Sequence, residues 1–429
     1  MLEPQDVTTS GWRSRLPDVL PRHAPALWVG SVVLVLSMLA YMRVPLLPSI
    51  GEDLSMSAAD LGLVTTVFAL GRLSADIPAG RLSDLRTVGW MLGGAAGLLG
   101  AASVTLSVSS VSWLVLVASY FLGVSSAVVN TTGMVYFAES ATVERRGRSM
   151  AGFSAALLGG QALGPAAGGG FAALWGWRSS LAVGAALAVA VGAAVLLRTA
   201  AQRRRTPPAA RSASPVDAVP LTNPFSLRER AILYFVPFAM FFTFGAMPQT
   251  LVPIIGSDEF HLSVGVIGLV LGVGGLCKFI GAVIGGVISD RISRKAALIP
   301  ALVFQAVGVG LLVLEGSLWA WVAALVVMSL ASFAISAAAT MLVDRTHGRR
   351  SGKRLGPFRF AGDLGLIAGP LTASLVYEHF GQRPAALLVA GVLLVCAVAS
   401  TFGLRETRWL APEPGGALVG RAGLSGEEQ

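Results

Sequence analysis

The chain has 429 residues, 54% of them hydrophobic and 13% charged, with a mean hydropathy of +0.71. Soluble domains carry about 25% charge. This composition, with apolar runs recurring at bilayer-spanning length, therefore excludes a soluble globular protein and predicts a polytopic membrane protein. The formal net charge of +9 raises nucleic acid as a partner, but the placement of the charge argues against it.

Residues 1–25 read as a polar, Pro-rich tail, with no cleavable leader evident. Span 1 is expected at 26–47, with Tyr41, Arg43 and Pro45 in its last third, followed by an acidic loop. Spans 2, 3 and 4 follow at 61–82, 88–106 and 111–137, and then a basic segment holding Arg145, Arg146 and Arg148. Spans 5 and 6 fall at 150–174 and 180–197, with Arg178 between them. Residues 198–230 have no spanning pattern and read as a flexible basic linker. Span 7, at 231–254, is interrupted by Pro237 and Pro248 and leaves through an acidic loop. Spans 8 to 12 are expected at 263–288, 296–314, 318–343, 356–377 and 384–402, and a Gly- and Pro-rich tail closes the chain from 404. The two cysteines, Cys277 and Cys396, lie inside apolar runs and behave as small hydrophobes, neither ligands nor a disulfide pair.

Twelve spans put both termini on one side. The loops on that side hold 26 of the 32 Lys and Arg residues; the opposite loops hold Arg178 and Arg383, and Arg43, Arg72, Lys278 and Arg359 lie within spans. The bias predicts that both termini and the linker are cytoplasmic. It also accounts for the net charge, as anchoring charge facing an anionic leaflet. No basic face interleaved with aromatics is visible, so no nucleic-acid role is expected.

The sequence repeats itself. Residues 62–84 and 268–290 both begin Gly-Leu-Val and end Ser-Asp, 206 positions apart, and Arg72, Gly80 and Asp84 align with Lys278, Gly286 and Asp290. At offset 205, Glu139, Gly147, Gly160, Gly164-Pro165 and Arg178 align with Asp344, Gly352, Gly365, Gly369-Pro370 and Arg383. The expected fold is all-α: two parallel six-helix bundles, 26–197 and 231–403, related by an axis along the membrane normal.

On these residues the chain, over roughly 26–404, resembles the major facilitator superfamily of transporters. The family loop Gly-x-x-x-Asp-Arg-x-Gly-Arg-Arg/Lys has counterparts in Gly80-Arg81-Leu82-Ser83-Asp84-Leu85-Arg86 and in Gly286 to Lys295. The first carries its Arg one position late, and the second lacks only the inner glycine. The resemblance implies that these loops latch the halves in the outward-facing state. It therefore implies gating roles for Gly80, Asp84, Arg86, Gly286, Asp290, Arg291 and Arg294. Gly160-x-x-x-Gly164-Pro165-x-x-Gly168-Gly169 is similar to the family's antiporter motif, with the preceding glycine, Gly152, one position too close. The family's fourth-helix Arg motif is absent; Asn130-Thr131-Thr132-Gly133 stands there.

Several residues are candidates for chemistry. Arg72 and Asp76 are four apart and share a face of span 2. Three readings stand for them: Asp76 carries a proton, the pair braces span 2 against span 11, or it lies near the membrane surface. Asp363 and Arg359 are also four apart, on span 11, and read as a structural or gate pair or as a second proton site; Asp363 is also a candidate partner for Lys278 or Arg72. Arg43 reads either as reaching the external interface or as facing a cavity to attract an anion. Arg72, Asn130, Gln161, Tyr234, Gln249 and Lys278 are further cavity candidates, though a neighbouring helix can satisfy any of the neutral ones. Phe241, Phe242 and Phe244 are candidates for an apolar lining or for packing. Glu139 and Asp344 occupy matching span ends and read as gate contacts, as do Asp84 and Asp290. Gly164-Pro165 and Gly369-Pro370 are expected to bend spans 5 and 11 where the halves pack.

No G-x-x-x-x-G-K-[ST] sequence, metal cluster or nucleophilic constellation is present, and the four histidines are scattered. The expectation is a transporter with no cofactor, not an enzyme. It is expected to work in the cell membrane as a monomer, exporting a small amphipathic or lipophilic compound in exchange for protons. The alternative is proton symport of an organic anion or another small metabolite.

Overall fold

The computed structural model describes residues 16–83, 87–141, 145–203, 226–344 and 351–404. In chain order the helices are α1 (Leu16–Tyr41), α2 (Leu47–Leu54), α3 (Ala58–Leu82), α4 (Val88–Ser107), α5 (Ser112–Glu139), α6 (Arg146–Arg203) and α7 (Leu227–Ala246). Then come α8 (Val252–Asp258), α9 (Val264–Arg291), α10 (Arg294–Gly310), α11 (Leu318–Leu330), α12 (Ala334–Asp344), α13 (Ser351–Phe380) and α14 (Gln382–Gly403). Among the described residues 10 helical stretches are long and apolar enough to span a bilayer. One of them, Gly147–Gln202, is 56 residues long. It holds two spans that turn at Gly176, whose φ of 80° only glycine adopts without strain. The tenth expected span is split into α11 and α12. Counted this way, the twelve expected spans are present.

Element ends follow local chemistry. Ser57 opens α3 and Ser226 opens α7, each in a reciprocal capping box, with Asp60 and Glu229. The Ser226 box starts α7 ahead of the expected 231. At the other side of the linker α6 runs on to Arg203, past the expected 197, through the good helix formers Ala200, Ala201 and Gln202. The tail expected over 1–25 is helical from Leu16, with Pro17 in the first turn, where its missing N–H is no loss.

The structure extends the repeat to the span breaks. Span 1 breaks at a 3-10 turn, Val44–Leu46, and span 7 at a wider π turn, Met247–Leu251. Each restarts as a short helix carrying matched Pro48 and Pro253, Gly51 and Gly256, Asp53 and Asp258. The first ends on left-handed Ser55 (φ 51°), and left-handed His261 (φ 49°) stands three residues past the end of the second. Gly381 (φ 87°) repeats the turn at Gly176. Two residues after each, an arginine clamps the preceding loop. Arg178 donates to the Ser107 and Ser109 carbonyls (3.2 and 2.8 Å) and pairs with Asp53 at 2.8 Å. Arg383 donates to the Val313 carbonyl (3.2 Å) and pairs with Glu315 at 3.1 Å.

Small residues set the helix packing. Gly160, Gly164 and Gly168 lie against the Leu34, Met38 and Met42 carbonyls, and Gly365 and Gly369 against those of Phe238 and Phe242. The glycines of both Gly-Pro motifs therefore pack inside their own half, where contact between halves was expected. Four-residue spacing puts them on one face, and that face meets α1 or α7. The proline residues do approach the other half: the Pro165 carbonyl faces Gly268 and the Pro370 carbonyl faces Gly62. Two seams result, α6 against α9 and α3 against α13.

Candidate functional site

At the end of the molecule away from the termini the seams are closed. The Ala59 N–H donates to Glu378 Oε2 (2.7 Å), and Thr66 Oγ1 donates to the Ile367 carbonyl (3.1 Å). In the other seam Gly169 meets Gly268 and Ala173 meets Gly265. Between the halves lies an open cavity, with about 830 Å³ of empty space when the solvent at its mouth is included. Its walls are mostly apolar: Phe241 and Phe244 on α7, Leu271 on α9, Leu325 and Met328 on α11. Proline and the π turn open α7 toward this space and bring Gln249 to its edge.

Of the expected cavity residues, Gln161, Gln249 and Lys278 line this space; Arg43, Arg72, Asn130 and Tyr234 do not. Tyr41, Thr243, Gln305, Ser329 and Ser332 line it without having been singled out for it. Their signal is weak, because a Ser or Thr in an apolar span looks alike whether it faces a cavity or bonds back to its own helix. Phe241 and Phe244 line the cavity, whereas Phe242 is buried in the packing against α13.

Lys278 reaches into the cavity with Nζ 3.8 Å from the centre of the Phe244 ring. Gln249 is 2% exposed and neither of its amide atoms has a partner among the described residues. Arg43 is also 2% exposed, which overturns the reading that puts it at the external interface. The 3-10 turn directs it inward, with its guanidinium 4.1 Å over the Phe68 ring and its three nitrogens buried without hydrogen-bond partners.

A cluster of charges sits where α3 crosses α13. Arg72 does not pair with Asp76 along its own helix; its Nη1 donates to Ser126 Oγ on α5 (3.0 Å). Asp76 Oδ1 accepts from Thr131 Oγ1 (3.0 Å) and lies 3.8 Å from Arg359 Nη2, a residue of the other half. Asp363 is 9% exposed, one turn from Arg359 on α13, and lies within the field of Arg72, Asp76 and Arg359. The two pairs expected within helices are thus one group of four shared across the halves. Spacing along a helix reveals neighbours on that helix; it does not reveal a crossing partner.

At the terminus end Gly80 and Arg294, of the expected gate residues, have neighbours within their own halves. A side chain at Gly80 would meet only Thr131, at 3.8 Å, and one at Gly286 would meet nothing within 4 Å. Arg294 donates to Ser289 Oγ (2.9 Å), and Arg291 and Glu139 are exposed. Asp84 and Arg86 lie outside the described residues, as do the side chains of Asp290 and Asp344. Among the described residues no group of three or more His, Cys, Asp and Glu is placed to hold a metal ion.

A family model described as Major Facilitator Superfamily matches residues 29–257 and 233–422. The chain is 27% identical, over 139 residues, to the multidrug resistance protein MdtG of Salmonella arizonae, Salmonella paratyphi B and Salmonella newport. That match covers 32% of this chain and 34% of each relative, so it spans about a third of their length. Two solved structures of a bacterial homolog to the human lysosomal transporter Spinster share the fold, each with a TM-score of 0.71. The first, inward-facing and unoccupied, is 15% identical and covers 88% of this chain and 96% of its own. The second, inward-facing and occupied, is 14% identical and covers 90% and 97%.

Proposed function

The chain belongs to the Major Facilitator Superfamily, whose members are transporters rather than enzymes, and on that premise we propose that it exports a small amphipathic or lipophilic compound in exchange for protons. The observation that carries this reading is the contact between Asp76 and Arg359, an ionic link between the halves beside an apolar cavity. Two carboxyls in one charge cluster hold one proton between them more easily than two full charges. Loading the cluster with a proton frees Arg359 from Asp76; releasing the proton restores the pair. The same contact biases how the halves sit against each other, which couples proton occupancy to access.

The two bundles, 26–197 and 231–403, rock about the cavity within one chain. With the basic loops in the cytoplasm of a bacterial-type inner membrane, the closed end faces outward and the cavity is approached from inside. The name of the MdtG relatives, multidrug resistance protein, supports export of an amphipathic compound. Lys278 in the cavity favours a second reading, proton symport of an organic anion; the direction of transport separates the two.

The test is solute-dependent proton flux in proteoliposomes, screened over drugs and organic anions. Asp76→Asn and Asp363→Asn are expected to lower the flux at least about tenfold, the equivalent of roughly 1.4 kcal/mol. Full gradient-driven transport by Asp76→Asn would remove Asp76 from the coupling role. If no solute moves in either direction, the transport reading fails.

A further inference from the structure

Among the described residues lining the cavity, Lys278 is the only one with a full charge, and none is Asp or Glu. Among the described residues its ammonium has no carboxylate and no hydrogen-bond partner, only the face of Phe244. The repeat explains how this arises. Lys278 is the counterpart of Arg72, which has Asp76 one turn further on; one turn beyond Lys278 stands Ala282. The second half keeps the cation and lacks the acid. A cation in an apolar enclosure without a counter-charge is unfavourable, so an occupant that brings a negative charge is favoured there.

Three further observations point the same way. Gln249 lines the cavity while almost fully buried, with both amide atoms unpartnered. A free donor such as the Gln249 amide, in the same cavity as the ammonium, suits an oxygen of an anionic group. Behind the wall Arg43 is buried without a hydrogen-bond partner, and it adds positive potential from the first half. The acids of the charge cluster, Asp76 and Asp363, are outside the lining, and Asp76 is paired with Arg359, so among the described lining residues a cationic solute would meet no carboxylate.

We infer that the cavity recognises a small amphipathic anion, a carboxylate or sulfonate on an aromatic or aliphatic body, with Lys278 as its charge partner, Gln249 as a donor to it, and Phe241, Phe244, Leu325 and Met328 around its apolar part. This rests on the transport reading, whichever direction transport takes, and the test uses binding alone so that the two can fail separately. Full-length protein in phosphatidylcholine nanodiscs, which carry no net lipid charge, is titrated with three tritiated probes of one shape: 2-naphthoate, 2-naphthylmethanol and 2-naphthylmethylammonium. Naphthoate is expected to bind saturably and at least about tenfold more tightly than the ammonium. Lys278→Gln and Lys278→Met are expected to abolish that preference while keeping binding of the alcohol, and Lys278→Arg to keep it. Should both neutral variants fail to fold, competition on the unmodified chain decides: naphthalene-2-sulfonate must displace naphthoate and the ammonium must not. The inference is overturned by absence of saturable naphthoate binding, by equal or tighter binding of the ammonium or alcohol, or by a preference that survives in the neutral variants. An anion preference that persists while Asp76→Asn leaves proton flux intact counts against the coupling role alone.

Discussion

Gly365 has the Phe238 carbonyl where its side chain would be, whereas a side chain at Gly97 would meet nothing within 4 Å. These two glycines, both inside apolar spans, predict opposite outcomes. Gly365→Val forces backbone apart at a closely packed crossing and is expected to cost about 1–3 kcal/mol, seen as a lower Tm in thermal unfolding of the detergent-solubilised protein. Gly97→Ala is expected to leave Tm unchanged or raise it slightly, since alanine is the better helix former. The charged residues teach a related point. Asp76, Asp363, Arg72 and Arg359 stand out in sequence because charge inside a span is rare, and that much is legible without a structure. Their partners are not. Asp76 is matched to Arg359 by the crossing of α3 over α13, which brings together residues far apart in the chain.

At the scale of elements, spans 1 and 7 are each a long helix, a break and a short helix. The matched Pro48 and Pro253 mark these breaks, yet proline alone does not distinguish a 3-10 turn from a π turn. The short helices end near the closed seam, where Glu378 of α13 takes the Ala59 N–H at the start of α3. A carboxylate at a helix N-terminus satisfies a free donor and complements the helix dipole. It does so here across the two halves, so Glu378 acts as a clasp. Glu378→Ala is expected to loosen the far end. With a cysteine introduced at Leu61, a buried α3 position, the rate of labelling by an impermeant maleimide applied from that side should rise several-fold. An unchanged rate would show that the seam is held by its small-residue packing instead.

For the whole molecule, the two seams hold the halves together while the cavity lies between them. Rocking requires the α6–α9 seam to slide or part. A Cβ built on Gly265 lies 3.0 Å from that of Ala173, close enough that a modest shift reaches the roughly 3.5–4.5 Å of a disulfide. Ala173→Cys with Gly265→Cys, in a background lacking Cys277 and Cys396, is expected to cross-link under oxidation, halt solute flux and recover on reduction. Flux that continues in fully cross-linked protein would mean that the seam stays closed throughout the cycle.

The amino-acid sequence by itself determines that this chain crosses a membrane, how many times, that it consists of one unit used twice, and which charges are unusual. Each of these is a local or periodic property: spanning length, loop charge and offset identity are written along the chain. Tertiary structure alone decides that Arg43 is enclosed and not at the interface, that Gly164 and Gly369 pack within their own halves, that Asp76 answers to Arg359, and that Lys278 faces the cavity without an acid among the described residues. In a bilayer nearly every face of a span is apolar, so hydrophobic periodicity does not mark which face meets lipid, helix or cavity. That information comes into being only when the helices cross.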